Sequence, residues 1–302
     1  MVISKLKFTK YKCFNCNQKN NFNRTIYEKK FLKNIFRINL CKKCNCEFTN
    51  KIPANSFTWS EIYKYGGSDQ KKDTKHKFDF LVNFFHKLRI FQVKKIEKIV
   101  FLNIKKKKLN ILDYGVGDGY LINYFSKNQN RLFASDINLQ KPTYLKKNIK
   151  YLNYKMLEKK KIKFDIILLR HVLEHCPNPK RYIKNLSKKI SKDGTIYVEI
   201  PNHSIKSNIF LKIFRNNYAQ LCLPHHINHF NKENFTKAFN KDFKLTFHSM
   251  NIPILGTSIQ NMLKFKKELR FSILNIILFP LQILISIFTR SDVALGIILK
   301  KR

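Results

Sequence analysis

The sequence predicts an α/β fold: a doubly wound, mostly parallel seven-stranded sheet with its last strand antiparallel, preceded by a small cysteine-rich module. Three observations predict it. Short, near-continuous apolar runs alternate with amphipathic stretches in the domain spanning 105–302, which is typical of parallel strands covered by helices on both faces. The final run breaks this alternation, so we expect it to fold back antiparallel. Two closely spaced cysteine pairs lie near the N-terminus.

Segment 1–50 is predicted to be a zinc-ribbon-like module. Two Cys-x-x-Cys pairs, separated by 24 residues, each offer two thiolates from one tight turn, and a pair of short strands fits between them. Four thiolates leave no open position, so we expect a structural zinc site; the alternative is four free thiols. Cys46 is interpreted as a spare thiol. The predicted ligands are Cys13, Cys16, Cys41 and Cys44.

The composition indicates a folded, strongly basic protein. Of 302 residues, 44% are hydrophobic and 14% aromatic, which excludes a disordered chain. The formal charge of +41 could serve nucleic-acid binding. The lysines are spread over the whole chain, however, and accompany abundant Asn, Ile and Phe, as AT-rich coding would produce. The first 15 residues contain no signal-peptide core, so we expect a cytoplasmic protein.

The remaining elements follow in order along the chain. Segment 51–104 is predicted to be a linker (51–73) followed by one or two helices. An apolar helical insertion is expected at 265–290. The predicted strands are 109–114, 131–135, 149–154, 164–169, 195–200, 243–250 and 292–300. The predicted helices between and after them are 119–128, 138–147, 179–190 and 231–239.

A glycine-rich turn, "ILDYGVGDGY" (111–120), follows the first strand of the sheet and opens a helix. A Walker loop would require Gly-Lys-Ser/Thr, which is absent, and a dinucleotide loop would have glycine where Tyr120 stands. The position before the turn is Asp113, whose carboxylate would repel a pyrophosphate. It suits a ligand with a cationic end, such as the sulfonium and ammonium of S-adenosylmethionine.

This spacing resembles the first motif of the class I S-adenosylmethionine-dependent methyltransferases. "FASDIN", ending the second strand, and "FDIILLRHVLEHCPNP" (164–179) resemble further motifs of that superfamily, and "TIYVEIPN" (195–202) resembles its fifth strand. "PHHINHFNKENFTKAF" (224–239) and the cysteine pairs followed by "YKYGG" resemble a family with a zinc-binding leader that modifies sugars and surface polysaccharides. The chain departs from that family at Asn45, where glycine is usual, and in its shorter length.

The resemblance implies a Rossmann-like methyltransferase fold and a set of cofactor-binding residues. The glycines would let backbone approach the cofactor, Asp113 would hold the α-ammonium directly or through water, and Asp136 would bind the ribose. Asn153 or Met156 could contact adenine, and two residues ending the fourth strand would border the methyl donor. The expected set is Asp113, Tyr114, Gly115, Gly117, Gly119, Asp136, Ile137, Asn153, Arg170 and His171.

An acidic acceptor also needs a base, and histidine titrates near neutral pH. The candidates lie in "RHVLEH" and "PHHINH", with Glu174 as an orienting carboxylate. A structural role is an equal alternative for His175. A metal site in "PHHINH" is the alternative for that cluster, but no acidic residue lies at a matching spacing, so we favour substrate binding. The expected catalytic group is His175, His226, His229 and Glu174, with His171 and His225 as further candidates.

Two functions follow from this reading. The first is methyl transfer to a small molecule, expected to be a sugar or cell-surface glycan precursor. The alternative is an RNA or nucleic-acid methyltransferase that uses the zinc module and basic surface; the fourth-strand region lacks the "NPPY" and "PC" patterns of base-modifying enzymes. A non-catalytic protein that only binds the cofactor is a third, weaker possibility.

The uncharged segment 271–288 is not expected to span a membrane, because Pro280 interrupts it and a sheet strand follows within a few residues. It is either a helical insertion packed on the domain or a kinked helix pair with an exposed apolar face. In the second case, flanking basic residues (264–270 and Arg290) would favour peripheral association with the cytosolic membrane face.

Overall fold

The protein is described by a computed structural model, which defines the conformation of most of the chain. The residues that the structure describes are 6–17, 22–65, 79–102, 104, 106, 108–126, 129–137, 141–263 and 271–302. The basic segment 264–270 and the second half of the predicted linker, 66–73, lie outside them.

The N-terminal module is built from five short strands, and the two longest lie between the cysteine pairs, as the spacing predicts. Its strands are β1 (Phe8–Lys10), β2 (Phe22–Phe31), β3 (Asn34–Cys41), β4 (Glu47–Thr49) and β5 (Lys51–Pro53). β2, β3 and β4 form an antiparallel sheet, and β1 pairs with β5.

Two helices connect the module to the main domain: α1 (Ser56–Tyr65) and α2 (Asp79–Phe101). The linker prediction for 51–73 is therefore wrong over its first half, which holds β5 and α1. Asn55 accepts a hydrogen bond from the Thr58 N–H at 2.8 Å, and Ile62 is fully buried. A capped helix start and a buried apolar side chain outweigh the loop-forming composition of this stretch.

The main domain is the predicted seven-stranded sheet. Its strands, together with the short strand β11, are β6 (Asn110–Tyr114), β7 (Arg131–Ser135), β8 (Ile149–Tyr151), β9 (Phe164–Arg170), β10 (Ile190–Pro201), β11 (Asn228–His229), β12 (Phe243–Met250) and β13 (Ala294–Lys301). The sheet order is β12-β13-β10-β9-β6-β7-β8. β13 runs antiparallel to both of its neighbours, whereas β6 to β10 are mutually parallel, which confirms the predicted fold class.

The helices of this domain surround the sheet, and several of them enter the core clusters on its two faces. They are α3 (Tyr120–Phe125), α4 (Tyr154–Lys159), α5 (Pro179–Ser187), α6 (Ile209–Phe214), α7 (Lys232–Phe239), α8 (Leu255–Met262) and α9 (Phe271–Phe288). Successive residues of β9 enter different core clusters: Ile166 and Leu168 pack on one side, Ile167 and Leu169 on the other. A strand buried on both faces explains its continuous apolar sequence.

The helix predicted over 138–147 is wrong for the residues that are described, because 141–148 form turns. Pro142 lacks a backbone N–H and restricts Lys141 to extended backbone, so the predicted helix could not run through 141 and 142. The Lys141 ammonium instead donates to the carbonyl oxygens of Lys146 and Ile149. The turn brings Tyr144 toward the glycine-rich turn, where its hydroxyl donates to the Gly117 carbonyl.

The segment 271–288 is one helix, α9, rather than a pair, with Pro280 inside it. It packs on α8 through polar side chains: Gln282 accepts from the backbone N–H groups of Ile254 and Leu255, at 2.9 and 3.0 Å. No helix among the described residues is both long and apolar enough to cross a membrane.

The strand β11 joins the N-terminal module to the main domain. It pairs with β4, so the module's sheet has the order β11-β4-β3-β2. The Thr49 N–H also donates to the Ile227 carbonyl at 2.9 Å. The cysteine module therefore shares a sheet with the histidine segment 225–229.

Candidate active site

The glycine-rich turn lies at the carboxyl end of β6, where the strand order of the sheet reverses between β6 and β9. Ligands of open α/β sheets bind at such a switch point. All three turn glycines have positive φ: 78° at Gly115, 52° at Gly117 and 68° at Gly119. A Cβ at Gly115 would lie 2.5 Å from the side chain of Val172. Only glycine fits this position, and its absence of a side chain leaves bare backbone at the switch point.

Asp136 follows β7 and lies across this turn. Its carboxylate accepts hydrogen bonds from the backbone N–H of Gly117 at 3.2 Å and of Ile137 at 2.7 Å. These bonds orient the carboxylate but leave acceptor capacity, because an ionised carboxylate has about four lone-pair sites. Ile137 itself is exposed at the rim.

Asp113 ends the buried part of β6 and is only 3% exposed. Burial raises the pKa of Asp113 to about 7, and the positive charge of Arg170 acts in the opposite direction. The adjacent Tyr114 is half-buried and makes an edge-to-face contact with Tyr182, with ring centroids 5.4 Å apart. The site therefore contains a carboxyl group that titrates near neutral pH, and an approaching cation would favour its ionised form.

The carboxyl end of β9 carries a network of buried charges centred on Glu199 of β10. One Glu199 oxygen accepts from Arg170 at 3.2 Å and lies 3.3 Å from His171 Nε2, and the other accepts from Tyr197 at 3.0 Å. Burial alone would raise the pKa of Glu199, but Arg170 and His171 together hold it well below its usual range. The network fixes two cations beside the switch point.

His171 is held in this network from both sides of its ring, and its backbone φ is 52°. Its Nδ1 lies 3.2 Å from a Glu174 oxygen. Burial lowers the pKa of His171, but the hydrogen bonds to Glu174 and Glu199 outweigh it and raise the pKa to about 9. At neutral pH His171 is therefore protonated, which suits a fixed positive charge rather than a general base.

The residues of the predicted catalytic group lie in two different places. Glu174, His175 and His226 come together: each offers one ligand-type atom within 4.8 Å of the others, and the two rings meet edge to face. His229 lies outside this group; its Nε2 is 3.2 Å from the Thr49 hydroxyl, and its ring packs on that of His203. The predicted catalytic group is thus assembled without His229.

Two further predictions have a different outcome in the structure. Asn153 follows β8, but its side chain caps α4 by accepting from the Met156 N–H at 3.0 Å. The Nε2 of His225 lies 2.9 Å from the Ile62 carbonyl, which ties the histidine segment to α1. Both residues therefore have structural contacts at this end of the sheet.

Glu199 and Tyr197 were missed by the sequence reasoning. Both stand in "TIYVEIPN", which was interpreted only as a strand. A charged residue within a continuous apolar strand could have revealed Glu199, because a buried carboxylate requires ionic or hydrogen-bonding partners. Which partners it has depends on the register of β10 against β9, where Glu199 lies opposite Arg170.

The four predicted cysteine ligands also come together. Sγ–Sγ distances are 3.4 Å for Cys13–Cys44 and Cys16–Cys41 and 3.8 Å for Cys44–Cys16. Four thiolates around a zinc ion at about 2.3 Å would be about 3.8 Å apart, so the spacing fits a tetrahedral site. Cys46 is fully buried but lies outside this group of four.

The chain is similar to known methyltransferases. The methyltransferase-domain family matches residues 84–246. The chain is 32% identical over 174 residues to the ubiquinone biosynthesis O-methyltransferase of Pelagibacter ubique (strain HTCC1062), covering 52% of this chain and 70% of that one. It is 27% identical over 134 residues to the enzyme of that name from Coxiella burnetii, covering 41% and 56%. A plantazolicin methyltransferase structure solved with S-adenosylhomocysteine covers 81% of this chain and 97% of that one, at 16% identity and a TM-score of 0.48.

The fold and the glycine-rich turn at the switch point define a class I S-adenosylmethionine-dependent methyltransferase. The chain belongs to the methyltransferase-domain family, whose match covers more than half of its length.

Proposed function

We propose that this chain transfers the methyl group of S-adenosylmethionine to a hydroxyl group of a small-molecule acceptor, a sugar or cell-surface glycan precursor. The observation that carries the proposal is the placement of Asp113 and Asp136 beside the glycine-rich turn at the switch point, with the buried charges that end β9 at the same edge of the sheet. The O-methyltransferase names of the Pelagibacter and Coxiella relatives support a small hydroxylated acceptor. The resemblance of the cysteine module and histidine segment to sugar-modifying enzymes supports the sugar.

The chain's own residues provide a fitting cofactor site. Asp113 would hold the α-ammonium group, and Asp136, oriented by two backbone N–H groups, would accept the ribose hydroxyls. The turn from Gly115 to Gly119 would lie against the cofactor without side chains in between. When bound, S-adenosylmethionine supplies an activated methyl group on a positively charged sulfur, and the protein has mainly to position the acceptor in line with it.

The acceptor would lie between the ends of β9 and β10 and the histidine segment. Arg170 and His171 place fixed positive charge there, which would stabilise an acceptor oxygen as it loses its proton. Glu174, His175 and His226 would lie on the other side of the reacting hydroxyl. His171, being protonated, would position the acceptor and would not remove the proton.

The cysteine module is proposed to hold a structural zinc ion through Cys13, Cys16, Cys41 and Cys44. The sulfur spacing supports four-coordinate binding, and the four cysteine thiolates would fill every coordination position of the ion. Because β4 pairs with β11, the ion would stabilise the segment that carries His226 as well as the module itself.

A peripheral membrane location is proposed for α9. Its solvent-facing side carries a stripe of exposed apolar residues, whereas Asn275 and Gln282 point inward and are hydrogen-bonded. An ordinary surface helix buries its apolar side chains and exposes its polar ones, and α9 does the opposite. The chain's charge of +41 complements an anionic membrane, where a lipid-linked precursor would be found. The stripe is Ile277, Leu281, Leu284, Ile287 and Phe288, exposed by 62%, 49%, 52%, 64% and 84%.

Transfer of a tritiated methyl group from S-adenosylmethionine into a fractionated lysate tests the acceptor class. Label in glycan or lipid-linked fractions supports the proposal, label in RNA supports the nucleic-acid alternative, and absence of label supports a protein that only binds the cofactor.

Asp136→Ala tests the cofactor site. We expect the affinity for S-adenosylmethionine to fall by about 1–3 kcal/mol, because hydrogen bonds to a charged group are left unmade. Isothermal calorimetry measures the change. Asp193→Ala, at an exposed position in a distant part of β10, is the control and should bind as the wild type does. An affinity equal to the control's would refute the ribose role.

A further inference from the structure

A second group of metal-ligating side chains lies at the carboxyl end of β9, apart from the four cysteines. Glu174 and His175 belong to the 3₁₀ turn Leu173–His175, and His226 precedes β11, 52 residues further along the chain. One ligand-type atom of each lies within 4.8 Å of the other two. The sequence offered no acidic partner near the histidine segment, and the fold supplies one.

The hydrogen bonds of both histidines fix the tautomer that metal binding needs. The Nδ1 of His175 lies 2.9 Å from the carbonyl oxygen of His225, and the Nδ1 of His226 lies 2.8 Å from the carbonyl oxygen of Gln220. A carbonyl oxygen can only accept, so each Nδ1 donates to it, and Nε2 is the nitrogen through which the neutral ring would bind a metal. Metal-binding histidines typically donate their other ring N–H to such a carbonyl or to a carboxylate.

Glu174 supplies the independent indication of a ligand. The residue is only 1% exposed, and its Oε2 has no hydrogen-bond partner among the described residues. A buried carboxylate oxygen without a partner is unfavourable, and an ion bound at Oε2 would satisfy it. Its other oxygen, Oε1, accepts from His171 at 3.2 Å, which orients the carboxylate as outer hydrogen bonds orient metal ligands.

The backbone holds the two ligand-bearing segments against each other. The Ile227 N–H donates to the Glu174 carbonyl at 2.8 Å. The Asn228 side-chain amide donates to the carbonyl oxygens of Leu173 and Cys176, at 3.1 and 2.7 Å. The three ligands are therefore positioned before any ion binds.

We propose that Glu174, His175 and His226 bind one divalent transition-metal ion such as Zn²⁺, with at least one coordination position open. Two imidazoles and one carboxylate form the ligand set of zinc sites that keep an open position, and they also suit other first-row metals. Mg²⁺ fits poorly, because it prefers oxygen ligands and ideal octahedral geometry. The role of this ion rests on the proposed function: its open coordination position suits a hydroxyl oxygen of the acceptor.

Metal content tests the site without any methyl-transfer assay, so its failure and that of the proposed function are distinguishable. Full-length protein is saturated with Zn²⁺, desalted and analysed for zinc per chain. We expect two ions in the wild type and one in both Glu174→Gln and His226→Gln. His229→Gln is the matched control: it removes another buried histidine of the same segment, outside the group, and should keep two ions.

Cobalt substitution assigns the ions. A Co²⁺-loaded wild type should show thiolate-to-metal charge transfer from the cysteine site and weaker visible bands from a nitrogen- and oxygen-ligated ion. Only the bands of the nitrogen- and oxygen-ligated ion should disappear in Glu174→Gln and His226→Gln. Circular dichroism shows whether Glu174→Gln and His226→Gln fold. If one of them does not fold, the metal content of the other tests the proposal. One zinc in the wild type, or two in both folded variants, would overturn the proposal.

Discussion

Binding of S-adenosylmethionine should depend on pH through Asp113. Burial raises the pKa of this carboxyl from 3.8 to about 7. The group must be ionised to hold the ammonium of the cofactor, and below pH 7 the free protein carries it protonated. Binding then requires release of that proton, so the affinity falls as the pH falls, by up to tenfold per pH unit.

The size of the effect follows from the ionised fraction of Asp113. With a pKa of about 7, that fraction is about 0.76 at pH 7.5 and about 0.03 at pH 5.5. The affinity should therefore fall by about 25-fold between these values, or about 1.9 kcal/mol. Calorimetric titrations with S-adenosylmethionine at several pH values measure it directly.

Asp113→Asn keeps the shape of the side chain but cannot ionise. We expect weak binding at all pH values, without the slope. Asp136→Asn is the matched control: it should weaken binding yet keep the slope, because Asp113 still titrates. A wild-type affinity that is constant across this window, or a slope that persists in Asp113→Asn, would refute the reasoning.

The same titration predicts the stability of the cofactor-free protein. A carboxyl whose pKa is raised on folding contributes stability that is fully present below its unfolded pKa, 3.8, and lost as the pH rises through about 7. Asp113→Asn should therefore stabilise the free protein relative to the wild type at pH 8 and not at pH 4. Urea denaturation at the two pH values measures the difference in free energy of unfolding.

Three other predictions address separate parts of the molecule. Gly115→Ala should lower the free energy of unfolding, measured by urea titration, by about 1–3 kcal/mol. The residue has positive φ, and an added Cβ would lie 2.5 Å from Val172. Gly117→Ala is the control and should cost less, because its Cβ would have no contact nearer than 3.9 Å. Cys16→Ser should lower the zinc content by one ion per chain and abolish the thiolate charge-transfer band of the Co²⁺ form; an unchanged band would contradict the four-cysteine site. Leu284→Ser should reduce sedimentation with phosphatidylglycerol vesicles, whereas Ile205→Ser, another exposed apolar position, should not; equal sedimentation of the two variants would reject docking through α9.

The sequence by itself determined the elements whose causes are local. Continuous apolar runs predicted the central strands of the sheet, because strands buried on both faces carry apolar side chains at successive positions. The turn at 115–119 could be predicted because glycine alone readily adopts positive φ and lets a neighbouring group approach the backbone closely. The two cysteine pairs were readable because each pair forms its own tight turn, and the structure places their sulfur atoms together.

Local patterns also misled where a single residue or cap opposed the composition. The amphipathic stretch near 138–147 predicted a helix, but Pro142 does not let a helix run through 141 and 142, and 141–148 form turns. The loop-like composition of 51–73 concealed α1, whose first turn is capped by Asn55 and whose Ile62 is buried. In both cases one or two residues decide the structure, and they change the average composition and hydrophobic periodicity of the segment very little.

Only the tertiary structure decided which polar side chains meet at the site. Strand register sets Glu199 beside Arg170, and the hydrogen bond from the Ile227 N–H to the Glu174 carbonyl brings His226 to Glu174, whereas His229 lies outside that group. Such pairings join residues tens of positions apart, and no spacing along the chain encodes them. They also determine protonation: His171 is cationic and His226, whose pKa burial lowers well below its usual value, is neutral. The charge of a buried group depends on its solvation and its neighbours, both of which exist only once the chain has folded.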